Sequence, residues 1–253
     1  MPQYLLARHV FVCLQGEHVV FLDVRKDRYF ALEAARTAGL GEIVAGWPVP
    51  SPDVAVYVRH TADDDATQVS SVVDRGALSA VVALLLDKEI LTPAAAGGKS
   101  AAPVATDPIL GDLEAEAPDD RPKMGFLMPL RFASAAIRAA LILKYRSFDS
   151  AVARVRARID ARPSSSGAVD AEGLHRLVGV FSILRPFFFT SKDACLFDAL
   201  ALSEFLAGYG IHPHWVFGVQ ARPFAAHCWL QLGGTVLNDT VDHVKRYTPI
   251  MVV

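Results

Sequence analysis

The sequence predicts an α+β protein built as two domains. Short Val- and Phe-rich strand segments occur together with helical stretches at both ends of the chain. A stretch rich in Ala, Pro, Gly and charge separates the two ends. The 253 residues, 52% hydrophobic and 21% charged, suffice for two modest cores.

In chain order, residues 9–14 (HVFVCL) and 18–24 (HVVFLDV) read as strands, Arg25–Arg28 as a polar turn and Tyr29–Leu32 as a short third strand. A helical pattern follows to about Trp47, where Pro48, Pro50 and Pro52 end it. Val69–Asp74 and Ala77–Leu86 read as two further helices, so residues 1–92 form a first domain. Residues 93–123 read as a linker, within which Ile109–Leu113 is apolar enough to dock. Residues 124–253 form the second domain. Phe126–Ile159 is strongly helical, with Arg131, Arg138, Lys144, Arg146, Arg154, Arg156 and Arg158 on one side. Pro163 and Ser164–Ser166 break it, and another helix runs from about Asp170 to Leu184. A helix opening near Cys195 ends at Gly208 and Gly210. Two strands, in HPHWVFGVQ and FAAHCWLQL, follow, and Gly233-Gly234 signals a hairpin.

The net charge of −2 gives no general attraction to nucleic acid or anionic membrane. Residues 1–92 carry eight Lys and Arg against twelve Asp and Glu, the wrong sign for holding phosphates. Three widely spaced cysteines argue against a disulfide framework and for a reducing compartment. The first residues lack the basic and apolar regions of a signal peptide. The most apolar run, 177–189, is interrupted by Arg185 and Pro186 and is too short to span a bilayer. A soluble, cytoplasmic protein without membrane insertion is expected.

The candidate chemistry lies between Cys195 and Asp239. Thr190 and Asp193 fit a capping box, which places Cys195 in the first turn of its helix. Unpaired N–H groups and the helix dipole there favour a thiolate and can bind an oxyanion. His227 sits inside a strand one element later, where it can serve as the base. Its neighbour Cys228 points to the opposite face and reads as structural, as does Cys13. The orienter of His227 depends on register. A two-residue loop at Gly233-Gly234 puts Asn238 and Thr240 on the face of His227, and a three-residue loop puts Asp239 opposite it. Asp242 is a further option. Metal binding competes through His212, His214, His227, Cys228 and His243, but their spacing matches no usual zinc pattern, so no metal and no cofactor are expected.

The segments CLFDALALSEFLAGYGI, HPHWVFGVQ and FAAHCWLQLGGTVLND resemble the lasso-peptide leader peptidases, the B proteins of lasso-peptide biosynthesis. The matching residues are Cys195, Leu196, Ser203, Gly218, Val219, His227, Trp229, Gly234 and Asp239. The resemblance implies a transglutaminase-like (papain-like) α+β domain. It makes Cys195 the nucleophile, His227 the base and Asp239 the orienter. Gln231 stands where the family often has an acid, and Cys228 where it has a small residue.

By the same resemblance, residues 1–92 are a winged-helix-like leader-recognition domain. The leader would add a strand beside Tyr29, Phe30, Ala31 and Leu32 and pack on Val81, Leu84 and Leu85 of the last helix. The implied function is cleavage of leader from core in a lasso precursor peptide. An ATP-dependent, asparagine synthetase-like cyclase is the expected partner. Acyl transfer to an amine by the same triad, or precursor binding without catalysis, are the alternatives.

Overall fold

The computed structural model describes residues 3–49, 75–113, 125–161, 170–187 and 195–253. They form two units, residues 1–104 with 221–223, and residues 105–220 with 224–253.

The first unit holds β1 (Tyr4–Leu6), β2 (Val10–Gln15), β3 (His18–Asp23), β4 (Arg28–Glu33), α1 (Ala34–Thr37), α2 (Arg75–Asp87) and β5 (Leu91–Pro93). β2, β3 and β4 make an antiparallel meander with β4 at an edge. At the β3–β4 turn the Asp23 carboxylate accepts the N–H groups of Arg25 and Lys26. Phe21 stacks on Phe30 at 4.5 Å across these strands, and Leu40, Trp47, Val81, Val82 and Leu85 complete the core.

β1 and β5, neither expected from the sequence, pair antiparallel. The helix expected through Trp47 shrinks to α1 and a 3-10 turn over Ala38–Glu42. The expected helix Val69–Asp74 lies outside the described residues. The expected linker is largely built into structure: Lys99 bridges to Leu6, Ala101 is buried, and Gly111–Asp112 forms a strand of the second unit.

The second unit contains β6 (Gly111–Asp112), α3 (Met128–Tyr145), α4 (Phe148–Asp160), α5 (Ala171–Leu184), α6 (Cys195–Ala207), β7 (His214–Gln220), β8 (Ala225–Leu232), β9 (Thr235–Val236), α7 (Val241–Val244) and β10 (Thr248–Val252). Its sheet runs β10-β7-β8-β9-β6, antiparallel except for β6 beside β9. β10 has no counterpart in the sequence reading.

The long helical stretch breaks at Arg146, where the backbone is extended. Ser147 then caps α4 by accepting the Ser150 N–H. Asp170 caps α5 in the same way through Gly173. The break expected at Pro163–Ser166 falls outside the described residues.

α6 is buried along Asp198–Leu206 and apolar almost all round, the pattern of a central helix. Phe132, Phe181 and Phe205, from α3, α5 and α6, form an aromatic triangle with centroids 5.1–6.3 Å apart. Some of the expected basic face has a specific partner. Arg138, Arg154 and Arg158 converge on the buried Glu204 of α6. No described helix is long and apolar enough to cross a membrane.

Candidate active site

The described part of α6 starts at Cys195. The capping box expected at Thr190–Asp193 lies outside the described residues. α6 packs on β8, which carries His227 opposite Gly218 of β7. The side chains of Cys195 and His227 lie close enough to shift each other's ionisation. Ring nitrogen Nε2 of His227 hydrogen-bonds Asp239 Oδ2, which leaves Nδ1 for the cysteine.

The hairpin has the two-residue loop, with Leu232 opposite Thr235 and Gly233 at φ 54°. On register alone that loop assigns His227 to Asn238, yet Asp239 holds the ring. The reason is local. The paired strand β9 ends at Val236, and the Leu230 N–H is taken at 2.8 Å by the side-chain oxygen of Asn238. The chain thereby leaves the ladder, alternation of faces no longer applies, and Asp239 turns onto His227. Asn238 Nδ2 also donates to Asp198 Oδ2 of α6 at 3.0 Å, which ties this turn to the helix that carries Cys195. Arg185 pairs with the other Asp198 oxygen at 3.2 Å. Asp242 is exposed and stands outside the triad.

Cys228 departs from the expectation of a structural thiol facing away from Cys195. Its side chain does alternate with that of His227, but Cys195 lies beside the strand rather than over one face. The Leu230 N–H points away from β7, so the Cys228 N–H two residues earlier points the same way, toward Cys195. Both the thiol and the backbone N–H of Cys228 lie close enough to the Cys195 sulfur to lower its ionisation.

The electrostatics follow. The thiol of Cys228 is the largest influence on Cys195. Burial opposes ionisation, but the His227 ring, the Cys228 N–H and the His227 charge add to the lowering, and the Cys195 thiol falls to about 4. Burial is the largest influence on His227 and disfavours its charge. The hydrogen bonds to Asp239 and Cys195, with their charges, outweigh it and raise the ring to about 9. Near neutral pH the pair is therefore thiolate and imidazolium. Cys228 is pushed well above the ordinary thiol range, chiefly by burial, and stays a protonated donor. Cys13, in the first unit, is raised by burial to about 12.

His243, which the sequence reading placed only in a hypothetical metal set, also belongs here. Its Nδ1 lies 2.9 and 2.8 Å from the two Asp239 oxygens. The signal was available: Thr240-Val241-Asp242-His243 is a capped helical turn, and His243 is four residues after Asp239. The Tyr247 ring packs on both His227 and His243, at 5.1 and 5.4 Å. Among the described residues, the His/Cys/Asp/Glu group close enough to hold a metal ion is His227, Asp239 and His243. His214 is exposed at the start of β7, with Nδ1 3.3 Å from the Val253 carbonyl.

Gln231, the departure from the family's acid, has a structural task. Its oxygen accepts the Trp229 indole N–H at 3.4 Å, and its amide donates to the carbonyls of Asp107 and Gly233 at 2.8 and 2.9 Å. A carboxylate there has no proton for either carbonyl.

The leader-binding residues expected from the sequence separate into two groups. Tyr29–Leu32 lie in the edge strand β4, and Leu84 is 41% exposed on α2. Val81 and Leu85 face inward, at 8% and 0% exposure, because the helix turns them onto Phe21 and Leu40 in the core. They present almost no surface to a ligand.

Residues 133–252 match the transglutaminase-like superfamily, so the second unit is a transglutaminase-like domain. A 48-residue segment, 19% of the chain, is 42% identical to the microcin J25-processing protein McjB of Escherichia coli. The match spans 23% of that protein's length. No solved structure matches the chain significantly.

Proposed function

We propose that this chain, whose second unit is a transglutaminase-like domain, is a cysteine endopeptidase that removes the leader from a lasso precursor peptide. The family match and the McjB segment support a lasso-peptide biosynthesis B protein. The observation that carries the chemistry is that His227 lies beside the Cys195 thiol, whose ionisation it favours, while hydrogen-bonded to Asp239.

The Cys195 thiolate attacks the scissile carbonyl, forming an S–C bond and a tetrahedral oxyanion. Backbone N–H groups beside Cys195 are proposed to stabilise that oxyanion. As the C–N bond breaks, the His227 imidazolium gives its Nδ1 proton to the leaving amine, and the core peptide departs. His227, now neutral, takes a proton from water. The resulting hydroxide attacks the thioester, frees the leader carboxylate and restores the thiolate–imidazolium pair. Asp239 keeps Nε2 protonated, so that Nδ1 is the nitrogen that exchanges the proton.

The first unit is proposed as a winged-helix-like leader-recognition domain. The leader pairs with the edge strand β4 along Tyr29–Leu32, and Leu84 supplies exposed apolar contact. Capture there raises the local concentration of the scissile segment, so the peptidase unit need not bind tightly. An ATP-dependent cyclase receives the freed core amine.

Mass spectrometry of a lasso precursor incubated with the protein tests this reading. The expected products are two fragments from one bond, the leader ending in a free acid. A leader carrying an added amine in place of the acid assigns acyl transfer instead. An uncut precursor that nonetheless binds through its leader assigns the non-catalytic role.

A further inference from the structure

The geometry points to a second capacity of the same site: His227, Asp239 and His243 form a binding site for a divalent transition-metal ion of the zinc type, which inhibits the enzyme. The ligand set stands independently, while the inhibitory role rests on the peptidase reading.

Two imidazole nitrogens and one carboxylate oxygen, all within 4.8 Å of one another, are a donor set that zinc takes with a fourth position open to water. Both rings aim a nitrogen at the same carboxylate, His227 by Nε2 and His243 by Nδ1. The rings are inclined at 57° with centroids 4.7 Å apart, so they converge instead of stacking. The two rings and the carboxylate close together on the ion to reach the roughly 2.0–2.2 Å that zinc requires.

The surroundings suit the role. The Thr240 N–H holds Asp239 Oδ1 at 2.7 Å, and Thr240 Oγ1 caps the turn that carries His243. Tyr247 packs on both rings and limits their rotation. The His243 side chain is 40% exposed and offers an entry path, while those of His227 and Asp239, at 15% and 13%, form the inner wall.

The consequence follows from proton bookkeeping. A metal on Nε2 displaces the proton now shared with Asp239. Only the Nδ1 proton remains on the ring, and a metal-bound imidazole is a far weaker acid than imidazolium. The leaving amine then has no proton donor, although the Cys195 thiolate itself is untouched. Because binding expels a proton, affinity rises with pH.

The test uses the full chain with Cys195→Ala, which removes the thiolate as a competing ligand. Zn²⁺ is titrated calorimetrically and Co²⁺ by its visible absorption. One ion per chain is expected. His243→Gln in the same background should weaken binding by more than the about 10–100-fold that loss of an outer-shell partner costs. His243→Asp, which restores a ligand oxygen, should recover part of it. Unfolding curves with and without Zn²⁺ check that each variant is folded. Equal affinity with and without His243, or no binding to the folded Cys195→Ala chain, overturns the site. Since no turnover is needed, failure of the peptidase reading leaves this result standing. Binding that leaves wild-type precursor cleavage unaffected overturns the inhibitory role.

Discussion

Asn238 accepts the backbone N–H of Leu230 through its side-chain oxygen at 2.8 Å, in the place that the Leu237 carbonyl would hold in a continued ladder. This substitution of side chain for backbone ends the hairpin and delivers Asp239 to His227. Asn238→Ala leaves the Leu230 N–H without its acceptor and Asp198 Oδ2 without its donor. A loss of about 1–3 kcal/mol in urea unfolding is expected, with a fall in Cys195 alkylation at neutral pH as His227 loses its orienter. Asn238→Asp should fare no better. It keeps the acceptor but sets a carboxylate against Asp198, whose own ionisation burial already disfavours.

Cys195 should react with iodoacetamide at a nearly constant rate from about pH 9 down to about 4, and lose reactivity only below that, because the thiolate persists to there. On the proposed peptidase mechanism cleavage requires the imidazolium as well, so it should also fall as pH rises through about 9. The limbs belong to the coupled pair. An alkylation rate falling tenfold per pH unit between 8 and 6 would show an ordinary thiol instead. Cys13 and Cys228 are buried with raised ionisation and should not contribute in this range.

Cys228→Ala removes the donor that most lowers Cys195, so the acid limb of alkylation should move to higher pH. Cys228→Ser restores a donor and should move it back. A merely packing role predicts the same profile for all three proteins.

The sequence made the pairing of Cys195 with His227 legible because each is carried by its own element. Helix α6 carries Cys195, and strand β8 carries His227. Asp239 was reached by resemblance, since face counting across Gly233-Gly234 assumes a ladder that Asn238 cuts short. Cys228 was misplaced because alternation describes side-chain faces, whereas Cys195 approaches the strand edge, which no period-2 pattern records. β1, β5 and β10 were missed because three to five residues pairing far along the chain leave little local pattern. The inward turn of Val81 and Leu85 was hidden for a related reason: an apolar helix face looks the same whether it meets a core or a ligand.

Gly218 lies opposite His227, and a Cβ there would sit 2.8 Å from Tyr247 Cβ and 2.9 Å from the Trp229 ring. Trp229 is fully buried and has no room to yield. Gly218→Ala should cost about 1–3 kcal/mol of stability by overpacking. Because Tyr247 packs on the His227 ring, turnover should fall more than substrate binding does, a split that kcat and KM report.

The central claim is that Cys195 performs the cleavage. Cleavage of the precursor by wild-type and Cys195→Ala proteins of equal helical content, followed by mass spectrometry, tests it most directly. The account predicts one cut by the wild type and a loss of at least about 10³-fold in the variant. Cleavage at the same bond and a similar rate by Cys195→Ala would contradict it.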